Sequence, residues 1–333
     1  MHVDGDILNI NIALALLLCV YTVWRVYREP RKLIAMPYRT AWLLLMFSAI
    51  VSTRCLFVDY FVTRPAGTWI NPAWLRPATW FLAFIFAVAL QYERHVLTQL
   101  QIAGVAIYAV GIVYHICGIP LELLGGNITY TMAAFVLLLP FGALFNRTKH
   151  KLLYYGAALL NIALIAPRNR TGLVCVAVFG AWYALAYVRR RYRRYYPLLL
   201  GLSLVALVAL VLMLSTWRTG SIAARFDWQR QALRQWTTAP LSGIGAGHTW
   251  LISNYHEHGK DGASFTHNWF VTVLLEQGIL GLLAVALMGY QLWRGERHPA
   301  ATLSLELFAV FSLFNEPWHF WQFTAILTGG VYG

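Results

Sequence analysis

Continuous apolar runs of about eighteen residues or more recur along almost the whole chain, and they constrain its fold more than any motif does. A helix needs about twenty such residues to cross the hydrocarbon core of a bilayer. Inside lipid the backbone polar groups must pair within the protein, which leaves only helices and closed strand barrels as crossing structures. Barrel strands alternate apolar with polar residues. These runs do not alternate, so they predict helices. Composition agrees: 59% of the residues are hydrophobic and 12% are charged, against about 25% charged in a soluble domain. The expected fold is an all-α polytopic integral membrane protein of about 10–12 transmembrane helices, a single membrane domain over residues 1–333 interrupted by a long loop at 217–267. Spans are predicted at 7–26, 41–61, 78–92, 98–117, 129–146, 152–167, 171–188, 197–216, 268–293 and 299–316, with a shorter one at 318–332. Asp4 and Asp6, with no basic n-region before the first run, argue for a first span at 7–26 rather than a cleaved signal peptide.

A net charge of +13 would suit nucleic acid, but the placement of the charges does not. Lys and Arg gather at the ends of spans, where they report orientation. With Arg25, Arg28, Arg31, Lys32 and Arg39 in the cytoplasm, alternation brings Arg94, Arg147, Lys149, Lys151, Arg189, Arg190, Arg191, Arg193, Arg194, Arg294 and Arg297 to the same side. The short loops opposite hold Arg64, Arg76, Arg168 and Arg170. The long loop and the turn around Arg168 and Arg170 are therefore expected on the outer face. Cys19, Cys55, Cys117 and Cys175 show no paired spacing. They are expected to be free thiols packed as small hydrophobes.

Long loops inside a compact domain are usually functional or disordered. The aromatic and aliphatic residues of 217–267 argue for order, so the chemistry is sought there. Arginine suits phosphate, because its planar fork makes paired, charge-assisted hydrogen bonds and keeps its proton. Arg218, Arg225, Arg230, Arg234 and Lys260 in the loop, and Arg168 and Arg170 in the PRNRTG turn, could face an anionic group at the outer surface. Snorkelling onto lipid phosphate accounts for the turn arginines as well. The segment FDWQRQALRQW, with Phe226, Ala232, Leu233 and Trp236 as its apolar positions, suits a short amphipathic helix lying on the membrane. His267, at the mouth of the following span, has the residue type of a general base, although a lone histidine is often structural. His248, His256 and His258 lack the spacing of a metal site, and no metal is expected. Gly243, Gly245 and Gly247 follow no strand and match no nucleotide fingerprint. They suit a tight turn that aims the loop. Arg54, Asp59 and Glu276 are charges within predicted spans, functional candidates by default; Glu276 could orient the loop or meet a substrate head group.

Four pieces fall together: Asn169-Arg170-Thr171-Gly172, the early loop arginine Arg225, P-L-x-G-x-G-x-G from Pro240, and H-N-x-x-x-x-x-x-x-E-x-G-x-x-G-L from His267. Over about residues 167–283 the chain resembles the O-antigen ligase/polymerase superfamily. The resemblance implies a multi-pass protein of the bacterial inner membrane with its active site facing the periplasm. It implies that Arg170 and Arg225 hold the pyrophosphate of an undecaprenyl-linked glycan donor and that His267 activates an acceptor hydroxyl, with no cofactor or metal. Arg168, Asn268, Glu276 and Arg218 would be supporting residues, and membrane lipids, not nucleic acid, the surroundings. The expected activity is inverting glycosyl transfer to lipid A–core, as an O-antigen ligase. The alternative is an O-antigen polymerase joining lipid-linked repeat units. A transporter of an anionic solute is more distant: it would gather charge at the bilayer midplane, where only Arg54 and Glu276 are candidates.

Overall fold

The computed structural model describes residues 96–121, 128–216, 219–245, 266–294 and 298–315, with isolated helical positions at 20, 24, 27, 28, 43, 47, 50 and 51. The predicted spans at 7–26, 41–61, 78–92 and 318–332 lie wholly or almost wholly outside these residues, as do Arg54, Asp59, Arg218 and the histidines at 248, 256 and 258. The described chain is helical: α1 is Val96–Ile116, α2 Ile128–Leu138, α3 Thr148–Ile165, α4 Thr171–Arg191, α5 Tyr196–Thr216, α6 Thr219–Trp236, α7 Trp269–Arg294 and α8 Pro299–Phe314. No strand occurs among the described residues. Stretches long and apolar enough to cross a membrane are Leu97–Ile116, Thr171–Arg191, Arg193–Met213 and Trp269–Leu287. The protein is an all-α polytopic membrane protein, as the apolar runs predict.

Two compact units divide the chain. One comprises Met1–Val96, Arg225–Arg297 and Ser312–Gly333; the other, Leu97–Ala224 and His298–Phe311. In the second unit the run expected as one span over 129–146 is not one helix. α2 stops at Leu138 and the chain tightens into a 3-10 segment over Leu139–Leu144, with Pro140 at its start. Proline brings no N–H and cannot continue the helical ladder, and carbonyls left bare within a membrane must be satisfied by neighbours. Three hydroxyls do this: Tyr108 of α1 donates to the Phe135 carbonyl (2.6 Å), Tyr154 of α3 to that of Leu138 (2.6 Å), and Ser304 of α8 to that of Leu137.

The same tyrosine explains how α1 and α3 approach. A Cβ at Gly104 would strike the Tyr154 ring, and one at Gly111 would strike the Asn161 amide. Both pairs are seven residues apart, two turns along one helix face, so small residues on α1 receive polar ones from α3. Asn161 is buried and donates to the carbonyls of Tyr108 (3.1 Å) and Ala157 (2.8 Å). Cys175 is a free, buried thiol, whereas Cys117, also free, is exposed rather than packed.

Candidate active site

α6 occupies the front of the segment expected as loop. It begins at Thr219, earlier than the FDWQRQALRQW pattern suggests, because Ser221 to Ala224 contain nothing that breaks a helix. One stripe of it packs on α7. Ala232 is buried against Leu275 of α7, with Trp228, Trp236, Ile244 and Val271 packed around them. Phe226 and Leu233, expected against the membrane, are 68% and 41% exposed. At 3.6 residues per turn a face running through 225, 228, 232 and 236 leaves 226 and 233 on other sides.

The start of α7 is built by its own side chains. The Asn268 Oδ1 accepts the backbone N–H groups of Phe270 (3.1 Å) and Val271 (3.2 Å), a helix N-cap. The Thr266 hydroxyl donates to the Asn268 carbonyl (2.7 Å) and accepts the Asn268 N–H (3.2 Å), and it lies 2.8 Å from the Thr272 hydroxyl. Between these two locked neighbours sits His267, with φ of 55°, the left-handed region that residues bearing a Cβ rarely enter.

Two turns further on, α7 breaks. Gly278 has φ 68° and ψ −163°, a conformation essentially restricted to glycine. The turn after α6 plugs the break by exchanging backbone hydrogen bonds with it. Ile244 N–H donates to the Leu275 carbonyl (2.8 Å) and Gly245 N–H to that of Glu276 (3.1 Å). In return Ile279 and Leu280 donate to the carbonyls of Pro240 (2.9 Å) and Leu241 (3.2 Å). A Cβ at Gly243 would fall on the Glu276–Gln277 peptide, and one at Gly278 on the Leu241 carbonyl. Gly243 and Gly245 thus sit in a tight turn, and what it docks against is a broken helix; Gly247 lies outside the described residues. Glu276 is buried at that break.

The docking of α6 on α7 brings two candidate residues, Arg225 and His267, together and sets Trp228 beside them. Arg225 acts on His267 through space, and its Nη1 donates to the Phe314 carbonyl (3.3 Å). The Trp228 indole stacks on the imidazole, centroids 5.3 Å apart and planes within 24°. Burial first, and the Arg225 cation second, pull the His267 pKa down from 6.5 to about 4. At neutral pH the imidazole is therefore uncharged and able to accept a proton.

Arg168 and Arg170 belong to the other unit. The PRNRTG turn closes with the N–H groups of Arg168 (2.9 Å) and Asn169 (3.1 Å) both donating to the Ile165 carbonyl. Asn169 is buried; its Oδ1 accepts the Thr171 N–H (3.2 Å) and its Nδ2 donates to the Thr129 hydroxyl (3.4 Å). Gly172 packs on Met132. Against that seat Arg168 is exposed, while Arg170 is half-buried at the N-cap position of α4. Sequence reasoning passed over Trp228 and Thr266. Trp228 was signalled by its place one turn after Arg225, and Thr266 by its place directly before His267. Among the described residues no group of three or more His, Cys, Asp or Glu could hold a metal ion.

Residues 155–286, from α3 into α7, match the family described as O-antigen ligase. Its members are membrane glycosyltransferases of the O-antigen ligase and polymerase type. No curated protein matches the chain. The matched stretch contains Arg168, Arg170, Arg225, His267, Asn268 and Glu276.

Proposed function

We propose, from the premise that residues 155–286 place this chain in the O-antigen ligase superfamily, that it moves a glycan from undecaprenyl pyrophosphate to a sugar hydroxyl of lipid A–core at the periplasmic face of the inner membrane. The observation that carries the reading is an uncharged His267 held in the field of Arg225 at the head of α7. The acceptor oxygen attacks the anomeric carbon while His267 takes its proton. The bond from that carbon to the diphosphate oxygen breaks, and its electron pair leaves with the diphosphate. One such displacement inverts the anomeric centre. Diphosphate is a stable anion, so the departing group needs positive charge beside it rather than a proton.

Arg225 supplies that charge; in the other unit Arg170 caps the start of α4, at the positive end of its dipole, where an anion is favoured. Guanidinium groups would thus do without metal what a divalent cation does at other diphosphate sites. Asn268 holds the head of α7 through its cap, and the buried Glu276 accepts the Gly245 N–H at its backbone carbonyl beside the break.

The depressed basicity of His267 fits a site waiting for an anion. A bound diphosphate offsets the Arg225 field and so raises the proton affinity of the imidazole when the acceptor needs it. A lipid-linked glycan as acceptor, the polymerase reaction, would use the same donor grip. The test is His267→Ala in proteoliposomes supplied with undecaprenyl-pyrophosphate-linked glycan and lipid A–core. Transfer should fall by at least about a hundredfold while donor binding persists; undiminished transfer removes the general-base role.

A further inference from the structure

Trp228 has no part in the chemistry above, yet its indole lies flat against the imidazole of His267. We propose that Trp228 is a positioning residue for His267, its indole fixing the plane in which the imidazole takes up the acceptor's proton. The inference rests on the transferase reading.

The His267 backbone is fixed on both sides. Thr266 clasps Asn268 through two hydrogen bonds, and Asn268 caps α7. The two side-chain torsions remain, and through them the ring can still sweep a cone. A flat partner on one face stops that motion. Both ring nitrogens lie in the imidazole plane, so a partner stacked on the face leaves the edge clear for an in-plane hydrogen bond. The indole face also keeps water from that side of the ring.

The arrangement comes from one helix. Arg225 and Trp228 are three residues apart on α6 and share a face, and Ala232 continues that face into Leu275 of α7. A single docking event therefore sets the plane of the base and the charge beside it. The charge acting on the imidazole from α6 is Arg225. α7 brings Glu276, at the helix break, and the 239–245 turn brings no titratable side chain. Asp227 and Arg230 on α6 are exposed.

A core-filling role asks only for bulk, whereas a stack asks for a flat ring, and this separates the two. Trp228→Leu keeps apolar volume without a flat face; Trp228→Phe keeps the flat face. In Trp228→Leu, kcat should fall about 10- to 100-fold with the donor KM within about twofold. The acid limb of its kcat/KM profile, which reports the free enzyme, should move from about 4 toward 6.5 as the imidazole gains water. Trp228→Phe should restore most of both. A second measurement needs no turnover: NMR titration of histidine-labelled protein, with His267 assigned by difference from His267→Gln. The imidazole should titrate near 4 in the wild type and the Phe variant, and nearer 6.5 in the Leu variant. An unmoved titration and normal kcat in Trp228→Leu overturn the proposal, as does a Phe variant indistinguishable from Leu. Wild-type protein that transfers no lipid-linked glycan, yet shows the expected titrations, overturns the transferase reading while leaving the stack in place.

Discussion

His267 combines a backbone angle that side-chain-bearing residues avoid with an imidazole that resists its proton. The second property has a consequence for stability. In the unfolded chain the ring titrates near 6.5, and in the folded protein only near 4. Between those values the unfolded state binds more protons, so acid favours unfolding. The stability associated with the neutral ring is fully present above about pH 6.5 and is lost as pH falls through about 4. At about 1.4 kcal/mol per pKa unit the difference approaches roughly 3 kcal/mol at the acid end. Other groups titrate in the same window, so the readout is a comparison. Thermal unfolding in detergent should become more acid-sensitive in wild type than in His267→Gln, which has nothing to protonate. Parallel pH dependences in the two proteins would show that the ring is not buried as described. The contrast between the turn arginines is also settled at this scale. Arg168 and Arg170 are two residues apart in the sequence, and burial of Asn169 between them leaves one exposed and the other half-buried.

Two helices break, and each break is repaired from outside the helix. In α2 the cause is Pro140 and the repair comes from the hydroxyls of Tyr108, Tyr154 and Ser304. In α7 the cause is Gly278 and the repair is the backbone of the 239–245 turn. The α7 break makes Gly278→Ala a severe change. The new Cβ would meet the Leu241 carbonyl, and alanine is strained at a φ of 68°. A cost of about 3 kcal/mol or more is expected, read as a lowered unfolding temperature and loss of folded protein on size exclusion. Gly180→Ala within α4, where a Cβ meets nothing, serves as the control and should be neutral or slightly stabilising. Equal behaviour of the two variants would mean the turn does not lock into α7. Apolar run length located α1, α3, α4, α5, α7 and α8 to within a few residues, because a bilayer-length apolar run leaves a strong local signal. It read 129–146 and 268–293 as straight, because a break depends on which distant group can take the freed carbonyls. It did not show which stripe of α6 packs on protein, because the deciding partner, Leu275, lies some forty residues on.

At the scale of the whole chain, +13 charge is carried on a protein whose described stretches include four able to cross a bilayer. That combination makes the position of each cation meaningful, since charge is costly wherever lipid surrounds it. The candidate site residues were legible because their motifs are local: Asn169 to Gly172, then His267 with Asn268, then Glu276 with Gly278 and Gly281. What the chain does with its donor is less local, because ligase and polymerase need the same hold on a lipid diphosphate and differ in the acceptor. Each activity, when missing, leaves its own precursor behind. If this protein attaches finished polymer to lipid A–core, a deletion strain should make full-length glycan that stays on the lipid carrier, while its lipopolysaccharide ends at the core. If it joins repeat units, attachment continues but chains do not grow, and lipopolysaccharide carrying a single repeat should accumulate. Gel separation of lipopolysaccharide, paired with extraction of carrier-linked glycan, distinguishes the two. The proposed ligase activity expects the first pattern, restored by the wild-type gene and not by one encoding His267→Ala. An unchanged ladder with no carrier-linked polymer, in a strain with no second enzyme of this kind, would remove the ligase reading and with it the diphosphate role proposed for Arg225.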